Sequence, residues 1–431
     1  MSGDADSRAI TILRALFDAA VAAARPDEAL RAHLPPPPKG RTVVIGAGKA
    51  AAEMAAAFEN LWPGPLEGVV VTRHGHGART RRITVLEAAH PVPDAAGVGA
   101  ARALFDRLAG LGPDDLVVAL MSGGGSALLA LPPEGVTLAD LQALYRALLG
   151  SGADIAAMNT VRKHCSLALG GRLAAAAPQT PMVTLVVSDV PGDDPGLIAS
   201  GPTVPDHSTR AQARAALADY GIDPGPALAA WLDSPAADSP DPQGAAFVNK
   251  SVRVIASAHT SLIRAAALAR SMGYAPLVLG DAIEGESREV ARVHAGLVRS
   301  IRRHGVPIAA PCVILSGGET TVTLRGGDGR GGRNGEFALA LAQALAEGGD
   351  GMPGVYALAA DTDGIDGSED NAGALVRPDT LARAAQAGLS VAEHLARNDS
   401  YGFFAGLDDL LVTGPTRTNV NDFRAIFVEL A

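Results

Sequence analysis

The chain of 431 residues contains only two cysteines, Cys165 and Cys312, far apart in sequence and outside any CxxC pairing. A disulfide framework and a cysteine-based structural zinc site are thereby excluded, and a reducing cytoplasmic setting fits. The histidines show no clustering at metal-ligand spacing. Aromatic residues make up only 4%, so the cores must be built from Ala, Leu and Val. No run reaches the roughly 18 consecutive apolar residues of a membrane span. The opening MSGDADSRAI lacks a basic flank followed by an apolar stretch, so no signal peptide is expected. Positive charge is also in deficit. Lys and Arg total 36 against 46 Asp and Glu, a net charge of −10, and a nucleic-acid partner would need a basic stripe. An anionic small substrate remains compatible, because a few local cations suffice.

What is present is a soluble, globular composition, 48% hydrophobic and 19% charged, in a chain long enough for two domains. Apolar positions at helical spacing predict a first helix over 8–24, stopped by the prolines at 35–38. Strands are expected at Thr42–Ile45, Val69–Thr72, Ile83–Glu87, Leu116–Met121 and Met182–Val187, with helices at 49–60, 97–109, 138–149 and 155–176 between most of them. Alternation at that spacing means a doubly wound, Rossmann-like parallel sheet in an N-terminal domain, residues 1–240. The stretch Asp233–Gln243 is the linker candidate. A second α/β domain with a mixed sheet, residues 244–431, is expected to begin with a strand at Val252–Ala256 and a helix at 260–272. Cys312–Leu315, a hairpin-like Thr320–Leu324, the loop Gly326–Gly332, a helix at 334–346 and strands at Val355–Ala359 and Arg424–Glu429 follow. The active site is expected in the cleft between the domains.

Apolar runs that break into glycine are where a sheet lets a ligand approach its backbone. LVVALM ends in Ser122, Gly123, Gly124, Gly125 and Ser126, whose N–H groups and hydroxyls suit an anion. VVIGAGKAA places Gly46, Gly48 and Ala51 in a dinucleotide-like fingerprint. That fingerprint also needs an acidic residue closing the next strand, to hold a ribose hydroxyl, and here Thr72 and Arg73 stand there. Lys49 at a helix N-terminus suits phosphate or carboxylate oxygens. Asp189 follows the strand Met182–Val187, where a carboxylate holds Mg²⁺ or accepts a proton; Asp193 and Asp194 read as turn and cap residues. In the second half, CVIL ends in Ser316, Gly317, Gly318 and Glu319, and Arg333 and Asn334 open a helix, with Arg333 suited to clamp a transferring phosphoryl group. Asp361 to Gly367 superficially matches a calcium loop, but the twelfth position is Ala372 rather than glutamate. It is read as an acidic strand-end loop with Asp361 and Asp363 available to Mg²⁺. Thr413 to Asp422 is a polar turn that either lines or caps the cleft. No Ser-His-Asp arrangement stands out, and His90, His164 and His259 are read as structural.

Taken in order, VVIGAGKAA, AAHPVPDAAG, MSGGGSALL, NTVRKHCSLALGGRLA, VVSDVPGDDPGLIASGPTVPD, ILSGGETTVTL, GGRNGEFALALA, AADTDGIDGSEDNAGA and TGPTRTNVND resemble the glycerate 2-kinase family, two-domain kinases with a MOFRL-type C-terminal domain. They span about residues 43–422. The resemblance implies ATP- and Mg²⁺-dependent phosphorylation of D-glycerate at its 2-hydroxyl, and it leaves a homodimer open. It puts Lys49 and Arg333 at the family's key cationic positions. On this reading Gly46, Gly48, Ser122 to Ser126, Gly317, Gly318, Asn334 and one of Arg162 and Lys163 contact substrate or phosphates. Asp189, Glu319, Asp361 and Asp363 would organise metal or take the hydroxyl proton. Four positions depart from the pattern: Ala157 for an acidic residue, Leu169 for lysine, Gly335 for glutamine and Arg417 for glycine. They permit a relative acting on another hydroxy acid. Some relatives are called hydroxypyruvate reductases, so a nicotinamide-dependent reductase is the alternative, with a non-catalytic metabolite sensor behind it.

Overall fold

The computed structural model describes residues 2–324, 329–347 and 353–430, with only the backbone for 2–5. Part of the expected Gly326–Gly332 loop, residues 326–328, lies outside the described residues. The chain forms two compact units, one of residues 26–256 and one of residues 1–25 with 257–431.

In the first unit six strands pair in one sheet: β1 (Thr42–Ala47), β2 (Glu67–Arg73), β3 (Ile83–Ala88), β4 (Leu116–Ser122), β5 (Met182–Val187) and β6 (Lys250–Ala256). All pairings are parallel, in the order β3-β2-β1-β4-β5-β6. β1, β4 and β5 are buried at every residue, as expected of parallel strands covered on both faces. The order reverses direction between β1 and β4, and open α/β sheets bind ligands outside the carboxyl ends of the strands at that switch point.

The second unit has β7 (Ala275–Gly280), β8 (Gly285–Glu286), β9 (Cys312–Gly318), β10 (Thr320–Thr321), β11 (Val355–Asp361), β12 (Gly373–Val376), β13 (Leu410–Leu411) and β14 (Asp422–Val428). Its main sheet runs β13-β12-β11-β14-β9-β7, with only β7–β9 parallel. Ala291, Val298, Phe337 and Leu341 fill one core. Leu13, Leu16 and Phe17 of the first helix pack with Leu262, Leu315 and Phe423 in another.

Several expectations are corrected here. The helix Ser2–Ala24 packs in the second unit, because its apolar stripe covers that sheet and not the first. Val252–Ala256 belongs to β6, which adds to the first sheet beside β5, so the division falls after Ala256 and the proline-rich stretch 233–243 lies inside the first unit. The expected helix 155–176 is two, Ile155–His164 and Arg172–Ala175, broken by left-handed backbone at Gly170 and Gly171. Thr320–Leu324 supplies only β10, which pairs in parallel with β8 and forms no hairpin.

Candidate active site

At the switch point of the parallel sheet the two glycine loops lock together. Lys49 N–H donates to the Gly123 carbonyl at 2.8 Å, and Ala50 N–H donates to Ser122 Oγ at 3.0 Å. Thr72 Oγ1, at the end of β2, donates to the Lys49 carbonyl at 3.2 Å. Every one of these bonds to Lys49 uses its backbone. Its ammonium, only partly buried, makes no ion pair among the described residues.

Asp189 leaves β5 on the neighbouring strand and lays its carboxylate against Gly123. A Cβ at that glycine would stand 1.6 Å from Asp189 Oδ2, so only glycine admits the carboxylate there. A methyl group at Gly124 would meet His90 at 3.1 Å and Lys49 Cγ at 3.2 Å. His90 thus flanks the loop. Burial, and then the charges of Lys49, Arg73 and Arg162, push its pKa down to about 4. The imidazole is therefore neutral at pH 7 within a cationic edge. Gly123→Ala is expected to displace Asp189 and lower kcat about 100-fold. Because Gly123 does not need a positive φ, thermal unfolding should move by only a few degrees, and kinetics beside a melting curve check both halves.

The two basic candidates of the helix Ile155–His164 part company. Lys163 Nζ bonds buried Asp206 at 3.1 Å, and His164 lies 3.7 Å from the same carboxylate. Burial works against Asp206, yet Lys163 and hydrogen bonds from Ser239 and Ser208 keep its carboxyl below the usual range. Lys163 is thus an internal ion pair, a correction to its place beside the glycine loop. Arg162 turns the other way, its guanidinium over the Tyr145 ring at 4.9 Å. Tyr145 Oη donates to the Ser126 carbonyl at 3.1 Å, and Ser126 Oγ meets Ser200 Oγ at 2.7 Å.

In the mixed-sheet unit the antiparallel register gathers a second cluster. Because β14 runs against β9 and β11, its first residue, Asp422, lies opposite Gly318 and Asp361 at their carboxyl ends. Arg333 opens the helix Arg333–Ala346 over that edge. Its Nε donates to Asp422 at 2.6 Å, Nη1 to Glu319 at 2.8 Å and Nη2 to Asp361 at 2.8 Å. Burial opposes its charge, but Asp422, Asp361 and Glu319 together raise its pKa above the ordinary arginine value. Burial, then the charge of Asp363, raises Asp361 well above the usual carboxylate range. Burial lifts Asp366 to about 6 against hydrogen bonds from the Asn334 and Gly335 N–H groups.

These contacts add to the roles expected. Arg333 donates to three carboxylates and so organises acids, while its guanidinium, with five N–H groups, keeps donors beyond those three. Asn334 directs its side-chain amide to Asp422 at 2.8 Å and its N–H to Asp366 at 2.9 Å, and Gly317 accepts the Ile283 N–H at 3.2 Å. Asp189 belongs to the unit of residues 26–256, whereas Glu319, Asp361 and Asp363 belong to the other, and no group of three or more His, Cys, Asp or Glu residues poised to hold a metal occurs among the described residues. Asp422 and Asp366 complete the cluster; in the sequence Asp422 ends a polar turn and Asp366 lies in the acidic strand-end loop. Among the departures, Leu169 is fully buried in the first core, and Arg417 adopts φ +64°, the left-handed region that favours glycine.

Residues 12–233 match a domain of unknown function (DUF4147), and residues 312–422 match the MOFRL family. A protein of Agrobacterium vitis named "Putative hydroxypyruvate reductase" is 53% identical, over 98% of this chain and 95% of its own length. The D-glycerate 2-kinase of Thermotoga maritima is 38% identical over 92% and 93% respectively. The crystal structure of a glycerate kinase from Thermotoga maritima superposes with a TM-score of 0.89, at 35% identity, covering 97% of this chain and 99% of that one.

Proposed function

The chain belongs to the glycerate kinase family, and from that premise we propose that it transfers the γ-phosphoryl group of ATP to the 2-hydroxyl of D-glycerate, giving 2-phosphoglycerate. The observation that carries this reading is the cationic edge at the switch point: Lys49 beside the Ser122–Ser126 loop, with the Asp189 carboxylate seated on Gly123. Phosphoryl transfer is mostly positioning and charge neutralisation, which such an edge supplies. The Lys49 ammonium neutralises the migrating group. The loop orients oxygens through its N–H groups, and Asp189 takes the proton of the attacking hydroxyl.

Magnesium fits the acidic cluster of the mixed-sheet unit. Asp361 and Asp363 are neighbouring carboxylates, and the burial and mutual repulsion that raise the Asp361 pKa are what a divalent cation relieves. Asp361 and Asp363 would hold Mg²⁺ as two hard carboxylate ligands, with water and substrate phosphates filling the rest of its shell. When bound, it neutralises charge on the nucleotide's terminal phosphates.

The β3-β2-β1-β4-β5-β6 order is that of dinucleotide-binding sheets, which favours hydroxypyruvate reductase as the second reading. Against it, β2 ends in Thr72 and Arg73, with no carboxylate for a ribose hydroxyl. ADP release measured with D-glycerate, with and without Mg²⁺, beside NAD(P)H oxidation with hydroxypyruvate, separates the two. The proposal expects D-glycerate- and Mg²⁺-dependent ADP and no NAD(P)H oxidation. The reverse pattern would overturn it.

A further inference from the structure

Resting on that phosphotransferase reading, we infer that Arg162 is the residue that recognises the substrate's carboxylate and makes the enzyme select hydroxy acids over their uncharged analogues. Arg162 is 8% exposed, yet no carboxylate among the described residues pairs with it. Its Nε has no hydrogen-bond partner, and Nη1 reaches only Asn159 Oδ1, at a long 3.5 Å. The surrounding fold gives its basic neighbours partners. Lys163 and His164 share Asp206, and Arg172 donates to the carbonyls of Lys163, Leu169, Ala237 and Asp238. A buried guanidinium left with open donors is a receptor for an anion, and its planar fork matches a carboxylate in bidentate fashion.

The packing fixes where that fork sits. Tyr145 lies under the guanidinium and is tied by its hydroxyl to the Ser126 carbonyl. Asn159 is held by Ser200, whose Oγ donates to Asn159 Oδ1 at 2.9 Å and meets Ser126 Oγ at 2.7 Å. Ala199 and Ser200 adopt φ +53° and +58°, left-handed backbone that non-glycine residues adopt at a cost and that clusters at functional sites. Arg162 is thereby joined through Tyr145, Asn159 and Ser200 to the glycine loop on which Lys49 and Asp189 converge. A hydroxy acid carries its carboxylate one carbon from the 2-hydroxyl, which suits recognition beside the loop that orients the reacting oxygen.

The same donors would also suit a nucleotide phosphate, and kinetics in both substrates separates the two. In the full-length protein, Arg162→Met and Arg162→Lys are assayed for ADP release, varying D-glycerate and ATP independently. Calorimetry follows D-glycerate and D-glyceramide binding without nucleotide, and melting curves are recorded for each protein. The methionine variant should raise the D-glycerate KM about 10- to 100-fold while the ATP KM stays within about threefold, with the lysine variant intermediate. Preference for D-glycerate over D-glyceramide should disappear in parallel. An unchanged D-glycerate KM, or a rise confined to the ATP KM, overturns the assignment. If the methionine variant fails to fold, the lysine variant and the wild type decide: equal binding of acid and amide by the wild type sinks the inference. Absence of ADP release from the wild type would refute the phosphotransferase reading, while the calorimetric comparison still judges Arg162.

Discussion

Lys49→Met is expected to lower kcat by about 1,000-fold or more and to leave the melting temperature within a degree or two of the parent. The two halves rest on different atoms. The fold uses the Lys49 backbone, through the bonds to Gly123 and from Thr72, and methionine keeps both. The ammonium has no carboxylate partner to strand, so its removal leaves no buried unpaired charge. What disappears is a cation beside the Ser122–Ser126 loop at the sheet's ligand-binding edge. Activity near the parent's would remove Lys49 from the mechanism. A large drop in melting temperature would instead mean that the side chain holds the loop.

Arg333→Met should behave in the opposite way, costing stability as well as turnover. Its guanidinium is shared by Glu319, Asp361 and Asp422, and the Asp422 side chain is 0% exposed. Removing one member of a buried ion pair leaves uncompensated charge, typically about 3–5 kcal/mol. For a unit of this size that is on the order of 10 °C in melting temperature. The loss should shrink as pH falls. Asp361 has a raised folded pKa, so its proton-bound form contributes stability at low pH that is lost as pH rises through that folded pKa. Without Arg333 the carboxyl rises further, and the variant's deficit is then largest at neutral pH. Melting curves from pH 5 to 8 check this; a deficit that does not vary with pH would show that packing, and not charge, is what Arg333 supplies. Arg424 also contacts Asp422, at 2.5 Å, and limits the effect at that carboxylate.

Much of this organisation is legible in local sequence. LVVALM and MVTLVV read as buried parallel strands because both faces are apolar, and the Ser122–Ser126 loop is evident because three glycines after such a strand serve no other purpose. Lys49 and Asp189 follow from their place at strand ends. Long-range register is not local. That Asp422 would stand opposite Asp361 depends on β14 running antiparallel between β9 and β11, which no short window encodes. The same blindness hid the acidic cluster around Arg333, since its three partners come from residues 319, 361 and 422. Lys163 and Arg162 are adjacent and equally basic in sequence. Only the buried Asp206, 43 positions further on, distinguishes the neutralised one from the open one. The surroundings of His90 are equally non-local, because Lys49, Arg73 and Arg162 assemble only when β1, β2 and the helix Ile155–His164 converge.

The most direct test is the phosphorus NMR spectrum of the protein incubated with ATP, Mg²⁺ and D-glycerate. Phosphorylation at the 2-hydroxyl predicts a new phosphomonoester resonance split by one proton, growing as the ATP γ-signal declines. A spectrum in which ATP persists and no ester appears, from protein that oxidises NAD(P)H with hydroxypyruvate, would contradict it.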